Sequence, residues 1–244
     1  MAIKQSIPAF ILFGQWDQNR LDLLGHIQKE LVDLTVSAPI FPKHEKVPFL
    51  NRLIHLSKIR TGKALSPAEV GVLLGHRAIW RKILKMDADP AQHFLVLESD
   101  SKLNNPKILK EKFNLYTSNY DLFFWGAWDG HARIHRSSIQ FRLQEYVIGT
   151  PLIKSVYCAY GYSLNKKAAA YLLKSTNKIS YPVDIYKKFI QPGALTIGAV
   201  RPELIGAWYN TPSTIQEQSM IVKIKRFLIV QIFDFRNRIH AYFS

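Results

Sequence analysis

The chain has 244 residues, 48% of them hydrophobic, enough for one large α/β domain with a substantial core. Its 33 basic and 18 acidic residues leave a net charge of +15, which points to a polyanionic partner: nucleic acid, an anionic membrane surface or a phosphorylated substrate. Cys158 is the only cysteine, so an intramolecular disulfide and a cysteine zinc cluster are excluded.

The opening fifteen residues carry too short an apolar core for a signal peptide, and no apolar run approaches the roughly 20 residues that span a bilayer. The expectation is a soluble cytoplasmic protein. Ala9 to Phe13 reads as a first buried strand, Gly14 to Asp17 as a turn, and Arg20 to Val32 as a helix with Leu23, Leu24, Ile27 and Leu31 on one side. Trp16 can stack on a base and Arg20 can meet phosphate, or Trp16 simply serves the core. Pro39, Pro42 and Pro48 break the next stretch, and Phe49 to Ile59 suits a short helix.

Ser66 to Glu69 carries a capping serine, a proline at the first helical position and a glutamate three residues after the cap. The helix runs to about Lys85. Val70, Leu73, Trp80 and Leu84 share one side, and Val72, Ile79 and Ile83 continue the arc, so the helix is largely buried. Gly71 and Gly75 form a smooth strip suited to close approach by another backbone or a ligand. His76 and Arg77 fall within the apolar arc, either as a hydrogen-bonded core histidine and a snorkelling arginine, or as site residues. The buried strand Phe94 to Leu97 follows and ends in Glu98 and Asp100. In an open α/β sheet the carboxyl end of a strand faces the ligand crevice. Two acids there suit a hard divalent cation carrying a diphosphate, or merely a polar strand end with Asp100 capping the turn.

Leu65 to Gly71, Gly75 to Trp80 and Leu95 to Asp100 together resemble glycosyltransferase family 25, which includes bacterial lipopolysaccharide and lipooligosaccharide sugar transferases. That family has a similar serine, glutamate, glycine, histidine, tryptophan helix, followed by a leucine-glutamate-aspartate-aspartate strand end. Ser99 stands here in place of the middle acid. Glu98 and Asp100 remain.

Pro106 to Tyr116 reads as a helix and Tyr120 to Trp125 as a strand. A loop from Ala127 to Ser138 holds Trp128, Asp129, His131, Arg133, His135 and Arg136, suited to a sugar, an acceptor phosphate or solvent. Tyr146 to Thr150 and Ser155 to Leu164 look like strands or edge segments. Asn165 can cap a helix from Lys166 to Lys174. Gly149-Thr150, Ala159 to Ser163, Lys166 to Leu173 and Tyr181 to Asp184 again resemble family 25. Pro182 is expected to start a helix, with Asp184 near its N-terminus. Asp184 there favours the helix dipole, and the resemblance makes it a candidate active-site carboxylate. Leu195 to Val200 is a late strand, and Arg201 to Gln218 suits the acceptor side. Met220 to Phe243 looks helical, with Ile224, Leu228, Ile232, Phe235 and Ile239 on one side and Lys223, Lys225, Arg226, Arg236 and Arg238 making it basic. It suits either an anionic leaflet or packing onto the domain or a partner.

The resemblance implies a GT-A-like, Rossmann-related α/β domain over residues 1–220 with a mostly parallel sheet, followed by a basic helix over 221–244. It implies transfer of galactose or glucose from a UDP-sugar to a lipid-linked lipopolysaccharide or lipooligosaccharide core. Asp100 and Glu98 are then metal ligands for Mn²⁺, with Mg²⁺ the alternative, and Glu98 can instead hold the ribose. Trp16, Arg20, His76 and Arg77 join the nucleotide-sugar site. Asp184 is the general base of an inverting reaction. Two other classes compete. A nucleic-acid-binding module would use the same charge, but no RNA-binding or helix-turn-helix signature is present. A catalytically silent membrane-associated scaffold would explain the broken acidic triplet.

Overall fold

The computed structural model describes residues 6–127, 130, 132–143, 145–157, 159–208 and 220–243, with the backbone alone at 141, 143 and 220–229. The elements in chain order are β1 (Ala9–Leu12), α1 (Leu21–Glu30), β2 (Leu34–Ser37), α2 (Leu50–Thr61), α3 (Pro67–Lys85), β3 (Phe94–Glu98), β4 (Ser101–Leu103), α4 (Pro106–Thr117), β5 (Leu122–Phe124), β6 (Phe141–Leu143), β7 (Tyr146–Gly149), β8 (Gly161–Leu164), α5 (Lys166–Ser175), β9 (Ile197–Arg201), β10 (Ile205–Ala207) and α6 (Met220–Phe243).

Eight strands form one sheet in the order β2-β1-β3-β8-β5-β9-β7-β6, and β4 and β10 form a separate antiparallel pair. The sheet is mixed, not mostly parallel. Three neighbouring pairs are parallel (β1 with β2, β1 with β3, β5 with β9), and four are antiparallel. The unbroken apolar run of β3 reports burial on both faces, and that burial does not depend on strand direction. Side chains alternate across the sheet. Phe10, Leu12, Phe94, Val96, Leu122 and Phe124 face one core, shared with Val70, Leu73 and Trp80 of α3 and Ala168, Ala169 and Leu172 of α5. Ile11, Leu95, Leu97 and Phe123 face the other, shared with Leu24 and Ile27 of α1 and Leu109 and Phe113 of α4. Helices therefore cover both faces of the sheet.

The α3 start forms as its sequence dictates. Ser66 Oγ accepts the Glu69 N–H at 3.2 Å, and the Glu69 carboxylate accepts the Ser66 N–H at 2.6 Å. A Cβ on Gly71 would lie 2.3 Å from the Ile40 carbonyl oxygen, so the glycine lets the chain at 40–42 cross α3 in contact. Leu84 is the exception to the buried arc, at 37% exposed. Pro182 starts no helix. The Ile185 N–H closes a turn onto the Pro182 carbonyl, and only a 3-10 turn, Tyr186–Lys188, follows. The segment read as a strand from Ser155 pairs only from Gly161, because Ile153–Ser155 is a 3-10 turn with Ser155 Oγ bonded back to the Leu152 carbonyl at 2.7 Å.

The C-terminal helix α6 packs with its polar side inward. Asp234, Asn237 and Ala241 are buried, while Ile232, Phe235, Ile239, Tyr242 and Phe243 are exposed. Asp234 pairs with Arg133, itself 3% exposed, and accepts from Arg238 Nε at 2.8 Å. Burial pushes the Asp234 carboxyl up, but the hydrogen bond and charge of Arg133 and the hydrogen bond and charge of Arg238 outweigh it, so it lies below the usual carboxylate range. The Arg136 guanidinium sits 4.8 Å from the Tyr242 ring centre. Arg133 and Arg136 thus hold α6, where the sequence suits their loop to a sugar, an acceptor phosphate or solvent. Trp128, Asp129, His131, Cys158 and residues 209–218, with the side chains of Lys223, Ile224, Lys225, Arg226 and Leu228, lie outside the described residues.

Candidate active site

The chain leaves β1 to form β2 on one side and β3 on the other, which makes the carboxyl ends of β1 and β3 a topological switch point where α/β sheets bind ligands. The turn after β1 and the turn after β3 meet there. Asp17 is 2% exposed, Arg20 6% and Ser99 8%. Asp17 Oδ2 accepts the Gly14 N–H at 3.0 Å, which closes the β1 turn and aims the other oxygen at β3. Ser99 Oγ donates to Asp17 Oδ1 at 3.0 Å and accepts from Arg20 Nη1 at 2.5 Å. Arg20 Nη2 lies 4.0 Å from Asp100 Oδ2. One serine hydroxyl therefore ties an acid and a base of the first turn to the acidic strand end.

Glu98 is held from the opposite side. His76, fully buried, lies 3.0 Å from Glu98 Oε1 through Nε2 and 2.8 Å from the Tyr162 hydroxyl through Nδ1. Trp80 Nε1 donates to the same hydroxyl at 2.9 Å. Burial pushes the Tyr162 phenol well above its usual range, more than the Trp80 hydrogen bond lowers it, so the hydroxyl keeps its proton. With Trp80 as donor, that proton points to His76 Nδ1. In that arrangement His76 accepts at Nδ1 and its Nε2–H donates to the Glu98 carboxylate. Below the acids, Ser101 Oγ accepts the Glu98 N–H at 2.9 Å and donates to the Tyr160 carbonyl, which pins the turn.

Asp100 is the strained member. Burial first and the Glu98 charge second push its carboxyl up from about 3.8 to about 6, against the lowering effect of Arg20. Its buried Oδ1 and the Nε of Arg20 have no hydrogen-bond partner among the described residues. An unmatched carboxylate oxygen and an unmatched guanidinium N–H in one crevice suit a cation and an anion together. No group of three or more His, Cys, Asp or Glu side chains converges as a metal site among the described residues. The donor set is two hard carboxylates, which fits an ion that completes its shell with phosphate oxygens and water, as Mg²⁺ does in phosphate-bearing sites.

The remaining candidates divide. Trp16 is 45% exposed and stacks on His44 with ring centres 3.9 Å apart, at the mouth of the same turn. Arg77 goes elsewhere. One residue along a helix turns the side chain by about 100°, and its Nη1 donates to the Leu173 carbonyl at 2.8 Å and to Thr176 Oγ1 at 2.5 Å, at the C-terminal end of α5. There a cation meets the negative end of a helix dipole. Asp184 is half-buried, and Tyr186, two residues on, packs edge-on against Tyr162 with ring centres 6.1 Å apart, which links its turn to the His76 network. Two members were not singled out from sequence. Asp17 was readable as an acid in the turn after a buried strand. Tyr162 gives no local signal, because its partners lie 82 and 86 residues away.

No curated protein matches the chain. The family model described as glycosyltransferase family 25 (LPS biosynthesis protein) matches residues 24–187, which takes in α3, the acid pair of β3, the Tyr162 strand and Asp184. With the match covering well over half of the sequence, the chain belongs to glycosyltransferase family 25.

Proposed function

We propose that the protein is a GT-A-like, metal-dependent hexosyltransferase that moves galactose or glucose from a UDP-sugar to a lipopolysaccharide or lipooligosaccharide core, with inversion. The observation that carries this reading is the meeting of the two turns at the β1–β3 switch point, where Arg20 Nη2 lies 4.0 Å from Asp100 Oδ2 and both Asp100 Oδ1 and Arg20 Nε lack a hydrogen-bond partner among the described residues. Arg20 holds the diphosphate, and Trp16 stacks on the uracil. Asp100, with Glu98, would hold Mn²⁺ or Mg²⁺, which when bound offsets the charge of the departing nucleoside diphosphate. His76 fixes the Glu98 carboxylate. Asp184 takes the proton of the attacking acceptor hydroxyl as the new bond forms to the anomeric carbon.

The test is transfer from a panel of UDP-sugars to deacylated lipooligosaccharide, with Mn²⁺ or with chelator. Turnover of one donor, lost in chelator, is expected, and D184N should lower kcat about a hundredfold with donor affinity kept. Full turnover in D184N would remove Asp184 from this role. Absence of donor binding under every metal condition would sink the reading as a whole.

No described helix is long and apolar enough to cross a membrane. Contact with an anionic leaflet through α6 is the further part of this proposal. Its exposed stripe Ile232, Phe235, Ile239 and Phe243 lies on the side away from Asp234 and Asn237, with Arg236 exposed beside it. An apolar stripe with basic neighbours suits the interface of an anionic bilayer. The protein should float with vesicles containing phosphatidylglycerol and not with phosphatidylcholine alone. Replacing Ile232, Phe235 and Phe243 with serine should abolish flotation, and unchanged flotation would assign membrane contact to another surface.

A further inference from the structure

The edge of the sheet that carries the acid pair carries a further carboxylate. β1, β3, β5 and β9 all run the same way, because β8 lies antiparallel between β3 and β5, and β9 pairs parallel with β5. Glu203 follows the last residue of β9 by two and so stands at the edge where β3 ends in Glu98 and Asp100. It is half-buried. One of its oxygens, Oε1, accepts three hydrogen bonds, from the Ala127 N–H at 2.8 Å, the Gly130 N–H at 2.7 Å and the Tyr160 hydroxyl at 2.9 Å.

Two of those donors belong to the chain that leaves β5. A Cβ on Gly126 would lie 1.6 Å from the Ile205 carbonyl oxygen, so only glycine lets that chain pass β10. Gly130 has φ +76°, the left-handed region that glycine enters without strain. Its carbonyl accepts from Arg133 Nη1 at 2.8 Å, so charged side chains hold Gly130 through both of its backbone groups. Ionised partners make the stronger hydrogen bonds. A loop that only links two elements needs no such clamp, whereas one that meets a substrate must be held to within about 0.5 Å. Ala127 and Ala132 are buried in the core on the α3 side, together with Val183 and Tyr186 from the turn of Asp184. Tyr160 joins the clamp to the acids. Its hydroxyl donates to Glu203, and its carbonyl accepts from the same Ser101 hydroxyl that accepts the Glu98 N–H. The clamped chain thus shares the sheet face of Asp184 and the sheet edge of Glu98 and Asp100.

We propose that Glu203 is a positioning residue for the acceptor. Its carboxylate fixes the backbone at Ala127 and Gly130 as the wall against which the acceptor sugar lies beside Asp184. The assignment rests on the hexosyltransferase reading above. Glu203 itself touches neither the donor nor the reacting atoms and acts through Ala127 and Gly130.

Initial rates with each substrate varied, and calorimetric binding of deacylated lipooligosaccharide, test it for wild type, E203A, E203Q, Y160F and G130P. E203A should raise the acceptor KM and Kd about tenfold, at unchanged KM for the UDP-sugar. E203Q keeps an oxygen that accepts from the same donors and should recover most of that loss. Y160F removes the hydroxyl bond alone and should keep the acceptor KM of wild type. G130P leaves Glu203 in place but deletes the Gly130 N–H and forbids φ +76°. It should match E203A, and it decides the matter if E203A does not fold. An acceptor KM unchanged in G130P, or donor and acceptor KM raised together in E203A, would overturn the assignment. So would an acceptor KM in Y160F as high as in E203A, since the clamp would then act through Tyr160. Calorimetry reads acceptor binding without turnover, so absence of donor binding in wild type would defeat the hexosyltransferase reading separately from the clamp.

Discussion

Replacing Asp100 with asparagine is expected to abolish turnover and to make the protein more stable. Burial and the Glu98 charge raise this carboxyl to about 6 in the fold, whereas an unfolded chain would release the proton near 3.8. The sign follows from linkage. Below about pH 4 both states hold the proton and the site costs nothing. Between about pH 4 and 6 the unfolded state ionises first and the fold loses stability, and above about pH 6 the full cost is present. A side chain 31% exposed is partly screened, so the cost is on the order of 2 kcal/mol. D100N removes it. In chelator, calorimetry should show a Tm gain of about 5 °C at pH 8 that fades towards pH 4. The amide cannot balance a cation against the departing diphosphate, so transfer should fall about a thousandfold. A gain of equal size at pH 4 and pH 8 would assign the effect to packing. A loss of stability at pH 8 would remove the charge argument.

The parts of this site that were legible in the sequence are those whose physics is local. The capping box at Ser66 and Glu69 closes within one turn, and the buried strand ending at Glu98 shows its character in five consecutive residues. Strand direction was not legible, because β8 enters antiparallel between β3 and β5 from far along the chain. The edge strand β2 was missed because only one of its four residues is buried. His76 and Arg77 looked alike on a helical wheel, yet one faces β3 and the other the end of α5, a division made by tertiary neighbours. In α6 the described part of the apolar stripe, Ile232, Phe235 and Ile239, is exposed, and periodicity does not determine which way such a stripe faces. The buried Asp234–Arg133 pair turns the polar face inward.

Removing the Asp17 carboxylate should be the most damaging single change to the fold of the site. Asp17, Ser99 and Arg20 are each less than 9% exposed, and Asp17 stands 3.8 Å from the Arg20 guanidinium. D17A leaves a buried guanidinium with only the more distant Asp100 to balance it, a loss of about 3–5 kcal/mol. It also frees Arg20 from its orientation, so the donor KM should rise with the fall in stability. S99A deletes the bridging hydroxyl but leaves the ion pair, and should cost about 1 kcal/mol. S99D is the informative variant, since it restores the acid that family 25 members carry at this place. In this chain the new carboxylate would meet Asp17 where a hydroxyl now lies 3.0 Å away. Two buried carboxylates would share one guanidinium, so S99D should destabilise by about as much as D17A. The exchange D17S/S99D keeps one acid and one hydroxyl in the same place and should recover most of both losses. Urea midpoints and donor KM for D17S, S99D and the exchange, each against the parent chain, give the coupling free energy directly. If the exchange is no better than the sum of its single changes, Asp17 does not stand in for the acid that Ser99 replaced, and the turn after β1 is held by other means.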